Sequence, residues 1–285
     1  MTFFDFIEIG TADFDTLSQS WDRVSAGMSI EPVTYYLDAL PKRKEVRKLN
    51  MAVSDTDGMV AVYYLPPDLI SKYNLPGWLR GCNSVESPHP LVVHELNKIG
   101  LTNSFVNNYL IPRKTLLTIC ENENVSGIFL LKIDTEGHEF PILNHFFSNA
   151  DLSLFPYELI FETNIRSNPN QVAQLIAKLI TEGYDIVSAS TGKWGSDTHL
   201  RLNNLRRRRS GSLRGPIQGF YLNDYPEKYN PESPCHDNSL SGALNFSASK
   251  NLGGVTFENG RYEARCGEYL LRAPEGTTAT SWIFT

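Results

Sequence analysis

The sequence predicts an α/β fold: a mostly parallel sheet flanked by helices, with a small β-rich appendage at the C-terminus. Three observations predict it. Over the first 190 residues, short β-rich apolar runs alternate with helical patterns, the mark of parallel α/β chains. Gly127 to Asp134, with Ile-Phe-Leu-Leu-Lys-Ile-Asp at its end, is the most strongly buried-looking strand of the chain. Beyond about Tyr225 the texture changes to Pro-, Asn- and Gly-rich segments separating short β patterns. The 285 residues, 41% of them apolar, suit one large domain or a domain with an appendage. The expected boundaries are 1–224 and 225–285.

In order along the chain, Phe3 to Ile9 reads as a buried strand ended by Gly10. Asp13 to Val24 reads as a helix, with Phe14, Leu17, Trp21 and Val24 at helical spacing on one face. Met28 to Glu31 is a second strand, and Pro32 at a helix start leads into Val33 to Leu40. Val46 to Ser54 reads as one third strand, and Asp57-Gly58 turns the chain into Met59 to Leu65. Pro66 to about Pro90 is rich in Pro, Gly, Asn and Ser and is expected as a long irregular loop, a lid or binding segment. Phe105 to Ile111 follows as a strand, Lys114 to Asn122 as a helix, and then the buried strand. Glu158 to Glu162 is a strand, Asn168 to Thr181 an amphipathic helix closed by Gly183, and Tyr184 to Ser188 a strand. Residues 201–214 hold six arginines and no acid, as a surface loop would. In the appendage, Gly254 to Phe257 and Tyr269 to Arg272 carry β patterns.

Charge and composition narrow the function. A net charge of −6 argues against a generic nucleic-acid binder, which needs clustered Lys and Arg. No apolar run approaches the roughly 20 residues that cross a bilayer. The N-terminus lacks the basic and apolar regions of a signal peptide, so a cytoplasmic protein without membrane partners is expected. Cys82, Cys120, Cys235 and Cys266 form no C-x-x-C pair, so a cysteine zinc site is disfavoured. Cys235 and Cys266 could bridge the tail, but a reduced compartment is the simpler reading.

In parallel sheets, ligands bind outside the carboxyl ends of strands. The first such end is Ile7-Glu8-Ile9-Gly10-Thr11-Ala12-Asp13, where Gly10 lets backbone approach a ligand and Glu8 can face a cation or amine. Gly10 stands alone where a dinucleotide fingerprint needs three glycines, which disfavours NAD. The second end carries Glu31, about 20 residues on, placed to accept both hydroxyls of an adenosine ribose, with a turn or helix cap as the alternative. Together they point to an adenosine-containing ligand without a pyrophosphate grip. At the third end, Asn50 could reach adenine or its ribose, with Met51 and Ala52 lining the ring; an Asn satisfying loop backbone is the alternative. The fourth end is the richest. Lys132-Ile133-Asp134-Thr135-Glu136-Gly137-His138-Glu139 closes a hydrophobic strand, and at period two Asp134, Glu136 and His138 share one face. Such a set suits general acid/base work or a divalent cation, while helix N-capping is the structural alternative.

These residues resemble the FkbM-like methyltransferases, class I enzymes that use S-adenosylmethionine. The resemblance rests on Phe6-Ile7-Glu8-Ile9-Gly10, Ile30-Glu31-Pro32, Asn50-Met51-Ala52-Val53-Ser54-Asp55 and Lys132 to Glu139, the last being similar to the family's K-I-D-x-E-G-x-E signature. The blocks keep the family's order from residue 3 to about 190, and Asn83-Ser84-Val85 resembles a short element near the cofactor. The resemblance implies a Rossmann-like, seven-stranded methyltransferase domain over 1–224. It implies that Glu8 and Gly10 flank the methionine part of S-adenosylmethionine, Glu31 takes the ribose, Asn50, Met51 and Ala52 border the adenine, and Ser84 lies close by. Two features depart from the family. Phe14 stands where a second glycine is usual, and the first strand starts almost at Met1 where members tend to carry helices first. The latter suggests a domain of a longer protein.

The implied chemistry is O-methylation of a sugar, glycan or similar polar acceptor. The sulfonium already activates the methyl group, so alignment and removal of the hydroxyl proton are what the protein supplies. His138 or Asp134 is the expected base, with Glu136 orienting its partner or the substrate. No metal is expected, although a divalent cation on these groups could lower the hydroxyl pKa instead. Tyr63, Tyr64, Tyr73 and Trp78 would suit stacking on sugar faces. The run Arg206, Arg207, Arg208 and Arg209 reads as a solvated loop or as a grip on an anionic acceptor. Two other readings are an RNA 2′-hydroxyl methyltransferase, which the acidic remainder disfavours, and a non-catalytic glycan-binding module with a degenerate cofactor pocket.

Overall fold

The computed structural model describes residues 1–14, 16–85, 87–163, 167–188 and 197–203, with the backbone of 256–258, 261–266, 269–272 and 283–284. The chain forms two compact units, Met1–Pro156 and Tyr157–Thr285.

The first unit contains β1 (Thr2–Ile9), α1 (Leu17–Ser20), β2 (Gly27–Ile30), α2 (Thr34–Ala39), β3 (Val46–Leu49), β4 (Ala52–Ser54), β5 (Gly58–Tyr64), α3 (Pro67–Lys72), β6 (Ser84–Val85), α4 (Pro90–Lys98), β7 (Asn107–Thr115), α5 (Leu116–Asn122), β8 (Val125–Ile133) and α6 (Glu139–Asn149). Four of these strands pair in parallel, in the order β8-β1-β2-β3. β1 and β8 are buried on both faces: Phe4, Phe6, Ile7, Leu130 and Leu131 are wholly buried. A second sheet, β4-β7-β5-β6, mixes parallel and antiparallel pairs. One cluster, Val33, Tyr36, Ala52, Val60, Val62 and Ile111, joins α2 to this sheet. Another gathers Leu65, Ile70, Leu79, Cys82, Val92 and Leu96 from the segments around it.

Several expectations are corrected here. The helix expected over Asp13 to Val24 is a single turn, α1. The Arg43 guanidinium takes the carbonyls of Ser18, Trp21 and Asp22, which a longer helix would need. Trp21 still packs inward, against Phe6 and Phe129, but Phe14 lies outside the helix. The single strand expected over Val46 to Ser54 is two strands in different sheets. Asn50 breaks it, its amide donating to the carbonyls of Glu31 and Pro32 at 3.0 Å each. The segment 66–90 is structured: Pro67 and Pro90 each open a helix, and a 3₁₀ turn covers Gly77–Arg80. The strand expected to end at Ile111 runs to Thr115, whose hydroxyl then caps α5 by accepting from Thr118 N at 3.0 Å.

The second unit contains β9 (Glu158–Glu162), α7 (Pro169–Thr181), β10 (Tyr184–Ser188) and β11 (Asp197–Leu202). Its strands run β10-β11-β9, antiparallel throughout. The seven strands expected are present and mostly parallel, with β10-β11-β9 antiparallel. Arg201 and Leu202 belong to β11 rather than to a loop. Its side chains explain why: Arg201 Nε donates to the buried Glu158 Oε1, and His199 pairs with Glu158 Oε2. Four short antiparallel strands follow, β12 (Thr256–Glu258), β13 (Arg261–Cys266), β14 (Tyr269–Arg272) and β15 (Ile283–Phe284). Arg206 to Arg209 and the Cys235–Cys266 pairing lie outside the described residues and side chains. No helix among the described residues is long and apolar enough to cross a membrane.

Candidate active site

The carboxyl ends of β1, β2, β3 and β8 meet in the first unit, and one close approach organises them. Gly10 has φ +76°, and a Cβ on it would stand 1.7 Å from the Asp134 carbonyl oxygen. Only glycine allows that contact. Asp134 N donates to Ile9 O at 2.9 Å, so the turn after β1 and the polar loop after β8 are seated on each other.

Glu31 sits at the end of β2, 2% exposed, and holds the first of these turns. Its Oε2 accepts from Ala12 N and its Oε1 from Val33 N, both at 2.8 Å. Burial raises its pKa to about 7 against those hydrogen bonds. Ala12 takes φ +46° to present its N–H. The Thr11 backbone adds a third hydrogen bond to the carboxylate. Glu8 is wholly buried and lies behind this surface: Oε2 accepts from Leu17 N at 2.9 Å and Oε1 from Lys132 Nζ at 3.0 Å. Burial raises its pKa more than Lys132 lowers it. Glu8 therefore holds α1 in place.

Of the residues expected around adenine, Asn50 is exposed, with its amide on the two carbonyls above and its Oδ1 accepting from Thr34 Oγ1 at 3.0 Å. Met51 is half-buried, whereas Ala52 belongs to the apolar cluster under the second sheet. Ser84 is buried, its hydroxyl donating to Ser87 O at 2.7 Å, which closes a turn. Four further residues, Asp13, Tyr36, Arg80 and Asn83, are linked to one another here, and of these sequence reading named only Asn83 as near the cofactor. Asp13 Oδ2 pairs with Arg80 Nη1 at 3.0 Å, and Asn83 Nδ2 donates to Arg80 O at 2.9 Å. The phenol of Tyr36, wholly buried, has its pKa raised by burial and then by the Asp13 and Glu31 carboxylates. Asp13 Oδ1, Asn83 Oδ1 and Tyr36 Oη are buried and have no hydrogen-bond partner among the described residues. Orphaned acceptors of this kind call for a donor-bearing ligand.

The loop after β8 separates its three expected residues instead of aligning them on one face. Glu136 adopts φ +56° and Gly137 φ +101°, so the chain is not extended there. Glu139, 3% exposed, clamps the loop, its Oε1 accepting from Thr135 N (2.7 Å), Thr135 Oγ1 (3.0 Å) and Gly137 N (3.2 Å). Burial raises its pKa as well. His138 stands at the N-cap of α6 with no side-chain cap. Its Nε2 lies 3.0 Å from Ser54 Oγ, which donates to Asp55 Oδ1 at 3.1 Å. Ser54 has one proton and uses it on Asp55, so it accepts from His138 Nε2–H. Neutral His138 then carries its lone pair on Nδ1.

Glu136 Oε2 is 3.0 Å from Nε2 of the fully buried His89. Cys82 completes a group of three with ligand atoms within 4.8 Å of one another. These residues do not fit a metal. His89 Nδ1 accepts from Leu91 N at 3.1 Å as the cap of α4, so the neutral ring keeps its proton on Nε2 and donates to Glu136. A cation on Nε2 would push that proton to Nδ1, against the Leu91 N–H. Cys82, moreover, is part of an apolar cluster.

The arrangement puts a turn with unpartnered acceptors beside a loop bearing an imidazole and two carboxyl groups. No curated protein and no solved structure matches the chain. The model of the methyltransferase FkbM domain matches residues 8–186, more than half of the chain and every one of the strand ends described here, so the protein belongs to the FkbM methyltransferase family and is a methyltransferase.

Proposed function

We propose that this methyltransferase draws its methyl group from S-adenosylmethionine and transfers it to a hydroxyl of a sugar or glycan. The observation that carries the reading is the Gly10–Asp134 contact, which sets the acid/base loop directly against the turn that Glu31 holds. S-adenosylmethionine, when bound, supplies a methyl group already activated by its sulfonium. On the protein's side, Glu31 accepts from the ribose diol. Gly10 keeps the turn open to close approach, and Asn50 and Met51 border the base. Ala52 stays in the core, and Ser84 holds the turn that follows Asn83.

A sugar hydroxyl is a poor nucleophile until its proton leaves in the transition state. His138 takes that proton, with Ser54 and Asp55 fixing the ring through Nε2. Asp134 and Glu136 accept hydrogen bonds from acceptor hydroxyls, and the His89 N–H sets the angle of Glu136.

The test is transfer of labelled methyl from S-adenosylmethionine across sugars, nucleotide-sugars, glycans and RNA, with His138→Asn alongside the wild type. Incorporation into hydroxylated sugars, about 10²–10⁴-fold slower in the variant at equal cofactor affinity, is the expected result. Incorporation into RNA alone, or an undiminished rate in His138→Asn, overturns it.

A further inference from the structure

We infer that Asp13, Arg80 and Asn83 form the seat for a zwitterionic α-amino acid group, the end of S-adenosylmethionine that carries its ammonium and carboxylate. The inference rests on the function proposed above and adds to it the residues that replace a missing glycine.

The chain has Phe14 rather than a small residue four positions after Gly10, and the structure shows what that side chain does. Its ring meets Gly81, where a Cβ would come within 3.1 Å of Cζ, and the Arg80 guanidinium carbon lies 5.1 Å from its centroid. Phe14 thus fastens the turn after β1 to the 3₁₀ turn at Gly77–Arg80 and sets Arg80 beside Asp13. The pair at 3.0 Å is asymmetric in its surroundings. The Asp13 side chain is 14% exposed and the Arg80 side chain 39%.

Two observations say that this pair is not merely a bridge between two turns. Asp13 uses one oxygen on Arg80 and keeps the other, Oδ1, buried without a partner among the described residues. Asn83 does the same: its Nδ2 is spent on Arg80 O, while its Oδ1 is buried and unpartnered. Two idle acceptors, one of them anionic, match the three donors of an ammonium group. Arg80 spends Nη1 on Asp13 and Nε on Gly77 O at 3.3 Å, which leaves Nη2 on a partly exposed cation to meet a carboxylate oxygen. Opposite charges fixed side by side suit a ligand whose own opposite charges are two bonds apart. Neither a neutral sugar nor a phosphate has that pattern.

The experiment compares two ligands by calorimetry on the full chain. S-adenosylmethionine carries the amino acid group; methylthioadenosine keeps the nucleoside and the methylated sulfur, now a neutral thioether, without it. Asp13→Asn and Arg80→Lys should each weaken S-adenosylmethionine binding by about 10-fold or more, the scale of a charged hydrogen bond. Methylthioadenosine affinity should stay within about 2-fold of wild type, which also shows that the variants fold. Equal loss of both ligands, or no loss of either, overturns the assignment. Wild-type protein that binds neither ligand overturns instead the cofactor reading on which it rests.

Discussion

Gly10 and Glu31 show how much one residue can hold. Gly10→Ala would force a Cβ to within 1.7 Å of the Asp134 carbonyl, at a φ of +76°. Both turns would have to separate, at an expected cost of about 2–4 kcal/mol in urea denaturation; a loss under 1 kcal/mol would mean that the loops adjust freely. Glu31 carries a pH signature. Its folded pKa, about 7, lies above the ordinary 4.5, so the folded state binds the proton more tightly. Its contribution is therefore most favourable below pH 4.5, declines as pH rises to about 7, and is level above that. Relative to Glu31→Gln, wild-type stability should fall by up to about 3 kcal/mol across that window, and parallel curves would remove the buried, raised carboxyl. Glu31→Ala should also weaken cofactor binding by about 1–3 kcal/mol. The places of Gly10 and Glu31 at neighbouring strand ends were legible because strand ends and a spacing of about 20 residues are visible in one dimension. The pairing of Asp13 with Arg80 was not, since 67 residues separate the partners.

At the scale of elements, the strands could be read and the helices only partly. A continuous apolar run such as Ile128 to Leu131 reads as a buried strand, and β1, β2, β8, β9 and β10 lie where expected, give or take a residue or two. Periodicity misled at α1, where Phe14, Leu17, Trp21 and Val24 keep helical spacing although Arg43 ends the helix after one turn. It also ran β3 and β4 together, because an Asn that breaks a strand by bonding across to β2 looks like any polar residue in a run. The segment 66–90 has the composition of a loop, yet its prolines start helices. One of these, α4, is begun by His89, whose tautomer it also fixes. His89→Ala should remove the cap and the donor to Glu136, costing about 1–3 kcal/mol of stability. Zinc offers a sharper check on that tautomer. Adding zinc to the wild type should leave the melting temperature unchanged, and a rise that disappears in Cys82→Ser or His89→Ala would show that the imidazole can rearrange to take a metal.

At the scale of the molecule, the family match and the four parallel strand ends describe one machine in which the site depends on the middle of the sheet. β1 and β8 lie side by side there, with Glu8 opposite Lys132 in register. Their side chains form the ion pair, 1% and 15% exposed, that couples the strand pair to the α1 turn through Leu17 N. Lys132 in the family signature was readable as a charged residue in a buried strand; its partner was not, because pairing of β1 with β8 spans 124 residues. Lys132→Met leaves Glu8 buried with its compensating cation gone, so the variant should lose about 3–5 kcal/mol at neutral pH or above. The raised pKa of Glu8 would then rise further, and protonation would relieve part of the loss, so the deficit should be smaller at pH 5 than at pH 8. Glu8→Gln with Lys132→Met removes both charges and should recover much of the stability while still leaving an amide oxygen for Leu17 N. A deficit equal at both pH values and unrelieved in the double variant would mean that Lys132 acts by packing, and that the turn bearing Gly10 and Asp13 is held by something other than this pair.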